Sequence, residues 1–129
     1  MGWRSGTKFI AYGHFNDLIE EFTVASMPIT ADIARFEAAY KQSETNNDLP
    51  RGFNFKELEN VTGQYSIYEI YVGPKNGFRA ILMLPHHRIR GELFAYWVFL
   101  FKKQRLRDNP KLERAKKIAC ECWISLERG

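Results

Sequence analysis

A chain of 129 residues that is 45% apolar and 15% aromatic can fill one hydrophobic core, because domains usually hold about 100–200 residues and at that size need no metal or disulfide staple. Its two cysteines, Cys120 and Cys122, stand too close to bridge each other, and no second pair or neighbouring histidine completes a zinc site, so reduced thiols in a cytoplasmic protein are expected. The net charge of +4 is unevenly spread: eight basic residues against two acidic ones between Lys102 and Lys117 give that segment +6 and leave −2 for the rest, which either attracts a polyanion or marks a solvated helix face.

Met1 to Thr7 is polar and the apolar residues after it are broken by His14, Asn16 and Asp17, so no secretory signal is expected. Lys8 to Gly13 is rich in aromatic and β-branched residues and predicts a first strand. Asn16 is placed to cap a helix running toward Ala25, with Phe15, Leu18, Ile19 and Phe22 at helical spacing. The Pro28 region ends that element and opens a second helix, in which Ile29, Ile33, Phe36 and Tyr40 share one face. Ser43 to Arg51 has turn chemistry and no periodicity, and predicts a loop.

Tyr65 to Val72, Phe78 to Leu84 and Glu92 to Phe101 predict three further strands. They are joined by Gly73 to Gly77, where Asn76-Gly77 reaches positive φ cheaply, and by Pro85 to Gly91. Short turns between successive strands predict an antiparallel meander. The nine-residue apolar run Leu93 to Phe101 is far shorter than the roughly 20 residues of a membrane-spanning helix, so it predicts a buried strand and no membrane partner. Asn109 and Pro110 open a last helix, whose Leu112, Ala115, Ala119, Cys122 and Leu126 form an apolar stripe that leaves Lys111, Arg114 and Lys117 outside it. The expected architecture is one α+β domain over 1–129, in the order β-α-α-β-β-β-α, with helices packed on a twisted antiparallel sheet.

Chemistry concentrates where the third strand of the meander runs into Lys102, Lys103, Arg105 and Arg107. Such cations hold phosphate, arginine with two hydrogen bonds at once, or simply solubilise a strand end. Arg79 stands between Phe78 and Ala80 in an otherwise apolar strand. It is either an exposed arginine that stabilises charge on a scissile phosphate, or half of a cross-strand pair with Glu69 on a wet sheet face. His86, His87, Arg88 and Arg90 crowd the second hairpin. Histidines titrate near neutrality and serve ribonucleases as acid and base, but adjacent turn residues point apart, so His87, Arg88 and Arg90 are read as RNA contacts. His14 reads as a structural or surface residue, and Cys122 as a packing residue on the apolar stripe. The strand tyrosines and Trp97 are mostly core, with some free to stack on bases. No metal, nucleotide or nucleophile motif is present, so no metal or cofactor is expected.

From Phe55 to the last helix the chain resembles the phage-derived, HigB-like branch of the RelE/ParE toxin superfamily. The pieces that carry the likeness are Phe55-Lys56-Glu57-Leu58, Ile67-Tyr68-Glu69-Ile70, Phe78-Arg79-Ala80-Ile81, Phe99-Leu100-Phe101-Lys102-Lys103-Gln104, and Asn109-Pro110 with Glu113, Ala115 and Lys116. They occur in the family's order and cover a little over half the chain. The resemblance implies a type II toxin of a toxin–antitoxin system, an endoribonuclease that cuts mRNA on the ribosome and is restrained by a cognate antitoxin. It implies that Arg79 stabilises the transition state, that Lys102 and Lys103 hold or polarise the phosphate, and that Arg105, Arg107 and Lys56 grip flanking RNA. Two departures stand out: Tyr71 replaces the arginine that usually follows the Glu-Leu pair, and no Tyr or His acid stands at the end of the last strand. The alternative is a non-catalytic RNA- or protein-binding module on the same fold.

Overall fold

The computed structural model of the chain describes residues 3–43, 49–104 and 109–128. After a short 3-10 turn at Trp3–Gly6, the elements are β1 (Lys8–Ala11), α1 (Phe15–Glu21), α2 (Ser26–Gln42), β2 (Phe55–Val61), β3 (Tyr65–Val72), β4 (Phe78–Pro85), β5 (Phe94–Lys102) and α3 (Asn109–Arg128). The α+β class follows the prediction, but the sheet has five strands in the order β1-β5-β4-β3-β2 and is mixed, not antiparallel. β2 to β5 form the expected meander, while β1 pairs parallel to β5, Ile10 beside Tyr96. Two helices and three strands separate β1 from β5, and a connection that long permits either direction; side-chain periodicity encodes neither.

β5 lies between β1 and β4, and helices cover both of its faces. Double burial explains its unbroken apolar run, which shows no alternation. A register shift at Ile81/Leu82 makes Val98 the extra residue of a bulge, opposite which Phe99 and Trp97 pair with consecutive residues of β4. On one face α1 and α2 cover Ile70, Val72, Ala80, Leu82 and Trp97; on the other α3 covers Ile67, Ile81, Met83, Phe99 and Phe101.

Trp97 centres the first core. Its ring stacks on Phe15 at 5.8 Å and meets Phe36 edge-on at 5.5 Å, and its Nε1 donates to Glu37 Oε2 at 2.8 Å. The four α2 residues predicted to share a face are all buried there. Ala115, Ala119 and Cys122 of the α3 stripe are likewise buried, and Tyr65 meets Trp123 at 5.4 Å where α3 ends.

Three local expectations are corrected. α1 begins at Phe15, so Asn16 is inside it and His14 occupies the cap position without a capping hydrogen bond. Positive φ in the β3–β4 turn falls on Gly73, Lys75 and Asn76, while Gly77 is right-handed, because a 3-10 turn at Pro74–Asn76 replaces a two-residue hairpin. β2, which the polar sequence FKELENV did not announce, is an edge strand with most of its side chains in water.

Candidate nucleic-acid interface

The antiparallel registers carry the β3–β4 turn and the end of β5 to one end of the sheet. Tyr71 pairs with Arg79, Arg79 with Phe101, and Phe78 with Lys102. Lys103 extends the pairing by donating its N–H to the Gly77 carbonyl at 2.8 Å. Lys102 and Lys103 are both exposed. Because alternate residues of a strand face opposite sides, Lys103 follows Phe101 toward the α3 face and Lys102 turns toward the other. The first turn of α3 returns over this end, with Lys111 Nζ 5.6 Å from the Phe101 ring and the Arg114 guanidinium 5.8 Å from the Phe99 ring. The positive end of the α3 dipole therefore adds to the side-chain charge.

Arg79 lies at the floor of this end and is not the exposed cation that the catalytic reading required, being only 8% exposed. Its Nη1 donates to the carbonyls of Asn76 at 2.6 Å and Phe78 at 3.2 Å, its Nε stands 3.6 Å from Glu69 Oε1, and its guanidinium covers the Tyr71 ring at 3.7 Å. The Nε–Glu69 separation is a charge contact, longer than a hydrogen bond. The cross-strand pair with Glu69 thus exists, but on a face beneath α3 and not on a wet one: Glu69 is buried too. An apolar strand can carry a cation inward when a carboxylate, two carbonyls and an aromatic face receive it.

Lys56 pairs with Glu69 in the β2–β3 register and is exposed on the sheet's outer edge, on the Arg79 side. Arg105 and Arg107 lie outside the described residues. His87, Arg88 and Arg90 are exposed in the β4–β5 connection, at the opposite end of the sheet. The length of β4, at about 3.4 Å per residue, puts them roughly 20–25 Å from Lys102. The structure therefore brings Arg79, Lys102, Lys103 and Lys56 to one end and separates the hairpin cluster from them. His86 is committed locally, with Nε2 2.8 Å from Ser66 Oγ and its N–H on the Gln64 carbonyl.

Sequence reasoning leaves Lys111 and Arg114 open between polyanion contacts and a solvated helix face, and reads Tyr71 as one of the strand tyrosines and as the residue in place of an arginine. The three-residue spacing of Lys111 and Arg114 on one flank of α3 was the available signal for the first two. The Tyr71 stack needed the strand register.

The chain matches no protein-family model, no curated protein and no solved structure. Among the described residues, no helix is long and apolar enough to cross a membrane, and no group of three or more His, Cys, Asp and Glu is arranged to hold a metal ion.

Proposed function

We propose that this domain binds RNA at the Lys102–Lys103 end of its sheet and acts there as a toxin of the RelE/HigB kind, cutting mRNA on the ribosome under the control of an antitoxin. The observation that carries the reading is the exposed pair Lys102–Lys103 at the end of buried β5, flanked by Lys111 and Arg114 on α3. Cations grouped at one sheet end, Lys103, Lys111 and Arg114 on the α3 face and Lys102 turned to the other, recognise a phosphate chain irrespective of base sequence, as a protein that works on many messages requires. In the chemistry that the resemblance implies, an RNA 2′-oxygen attacks the adjacent phosphorus and the 5′-oxygen leaves, giving a cyclic phosphate and a 5′-hydroxyl. Lys102 and Lys103 offset the charge that develops on the phosphoryl oxygens, while Arg79 holds the turn that positions them.

A second reading, a non-catalytic RNA-binding module, is favoured by the commitments of Arg79. Its guanidinium is occupied by Asn76, Phe78, Glu69 and Tyr71, which leaves phosphate chemistry to the lysines.

The deciding experiment is induced expression with growth and mRNA integrity as readouts, wild type against Lys102→Ala/Lys103→Ala. Both lysines are exposed, so the variant keeps its fold. Arrest and message cleavage by wild type alone supports the toxin. Soluble wild-type protein that binds RNA in vitro and leaves growth and messages intact supports the module and removes the toxin.

A further inference from the structure

Beside the basic end, on the α3 face of the sheet, a cleft of about 750 Å³ opens between α1 and α3. Its floor is Val98 and Phe99 of β5. Tyr12, His14 and Glu21 line the α1 side; Arg114, Lys117 and Glu121 line the α3 side. Such a volume suits a small organic molecule more than a water or an ion, and its lining is neither an apolar groove nor a purely basic one.

The order of charge along α3 limits what fits. Arg114 and Lys117 come first, toward Lys111 and the Lys102–Lys103 end, and Glu121 follows one turn later. Arg114 and Glu121 are separated by about 10 Å at 1.5 Å per residue, comparable to the span from the phosphate of one nucleotide to the Watson–Crick edge of its base. Tyr12, half-buried, offers aromatic surface between these poles, where a base can stack above the floor formed by the buried Phe99. Arg114 presents a planar fork of donors for phosphate oxygens. His14, with Nδ1 3.3 Å from Asp17 Oδ2, stands at the rim.

Glu21 and Glu121 would oppose a bare polyanion, yet carboxylates accept hydrogen bonds from base edges. Guanine alone sets two donors side by side, N1–H and N2–H₂, which one carboxylate takes together. Adenine and cytosine set a single amino donor beside an acceptor nitrogen. Uracil flanks its one N–H with two carbonyls that a carboxylate repels.

We propose that this cleft is a nucleotide subsite with a preference for guanine, in which Tyr12 carries the base over the Phe99 floor, Arg114 and Lys117 hold the phosphate, and Glu121 reads the Watson–Crick edge. The inference deepens the RNA reading and rests on it for the strand to which that nucleotide belongs. The cleft itself can be tested with mononucleotides.

The test is titration of the full chain with 5′-GMP, AMP, CMP and UMP, followed by amide chemical shifts, alongside binding of a single-stranded RNA. The expected result is saturable shifts at Gly13, Phe99 and Ile118, with GMP bound roughly five-fold or more tighter than UMP, the discrimination of one good bidentate contact. Glu121→Gln, an exposed position, should bring GMP and UMP to near equality. Equal binding of all four nucleotides by wild type, or shifts confined to other surfaces, overturns the guanine subsite. RNA binding without any GMP response overturns the cleft and leaves the RNA reading standing; GMP in the cleft without RNA binding does the reverse.

Discussion

Arg79 covers the Tyr71 ring, its guanidinium carbon 3.7 Å from the ring centroid, directly across from it in the β3–β4 register. The stack joins the buried Glu69–Arg79 pair to the turn at 73–77, because Nη1 of the same guanidinium takes the Asn76 carbonyl. Here an aromatic face receives the one cation of β4, where a second guanidinium would add like charge beside it.

Arg79→Ala should therefore be a stability variant before it is an activity variant. Both members of the pair are about nine-tenths buried as side chains, and removing the guanidinium beside a buried carboxylate costs about 3–5 kcal/mol. Arg79→Met combined with Glu69→Leu should recover much of that loss, since no buried charge remains. Urea denaturation of the two variants checks this. A loss below about 1 kcal/mol for Arg79→Ala would mean that the pair behaves like a solvated one.

The turn that Arg79 grips has its own constraint at Gly73. Gly73 sits at φ +82, and a Cβ there would stand 2.7 Å from Phe78 Cδ2 and 3.1 Å from Ile29 Cγ1. Its N–H donates to Asp32 Oδ2 at 2.7 Å, tying the turn to α2. Gly63, at φ +76, has nothing within 4 Å of such a Cβ. Gly63→Ala should cost about 1–2 kcal/mol for the left-handed backbone alone, whereas Gly73→Ala adds about 1–3 kcal/mol of overpacking. Equal denaturation midpoints for the two variants would show that Phe78 and Ile29 yield freely.

What the sequence disclosed and what it hid divide along physical lines. Helical periodicity located α2 and α3, and the faces it named are the buried ones. The long apolar run marked β5 because that strand is buried on both sides. β2 escaped because an edge strand with solvent on much of its surface need not alternate. The direction of β1 escaped because it depends on a contact across more than 80 residues. The lysines of the candidate site were legible as a charge run. The burial of Arg79 was not: an arginine in an apolar strand reads the same whether it faces phosphate or a carboxylate on the next strand, and only the register decides.

Register also sets the distance between two basic clusters, both of which the sequence offers as RNA contacts. Charge at the β4–β5 connection, His87, Arg88 and Arg90, stands at the opposite end of the sheet from Lys102 and Lys103. Alanine at Lys102 and Lys103 should weaken RNA binding and reduce the salt slope by about 1.4, from two phosphate contacts at about 0.7 each on a single strand. Alanine at Arg88 and Arg90 should leave that slope within error. Fluorescence anisotropy over a salt series measures both, and a larger effect from the hairpin pair would move the interface to the other end of the sheet.

The same core that hides Arg79 should make the fold labile in alkali. Burial pushes the Cys122 thiol up to about 12 from its ordinary 9.0. The Tyr65 hydroxyl rises to about 12, by burial first and then by neighbouring Cys120, and Tyr96 also rises to about 12, by burial and then by Cys122, against a lowering by Arg90. Below pH about 8 all three are largely protonated whether the chain is folded or not, so stability is nearly indifferent to them. As pH rises toward 12 the unfolded chain releases protons that the folded one retains, and each group lowers the unfolding free energy by up to about 1.4 kcal/mol per pH unit. Urea midpoints should hold steady from pH 7 to about 8 and then fall. Cys122→Ala should flatten the first part of that fall, because the thiol has the lowest unfolded value of the three. Tyrosinate absorbance should rise with loss of structure and not before it. If Tyr65 and Tyr96 ionised near pH 10 with the circular dichroism of the native state intact, the α3 face of the sheet would be open to water, and the packing of Ala115, Ala119 and Cys122 against it would have to be looser than described.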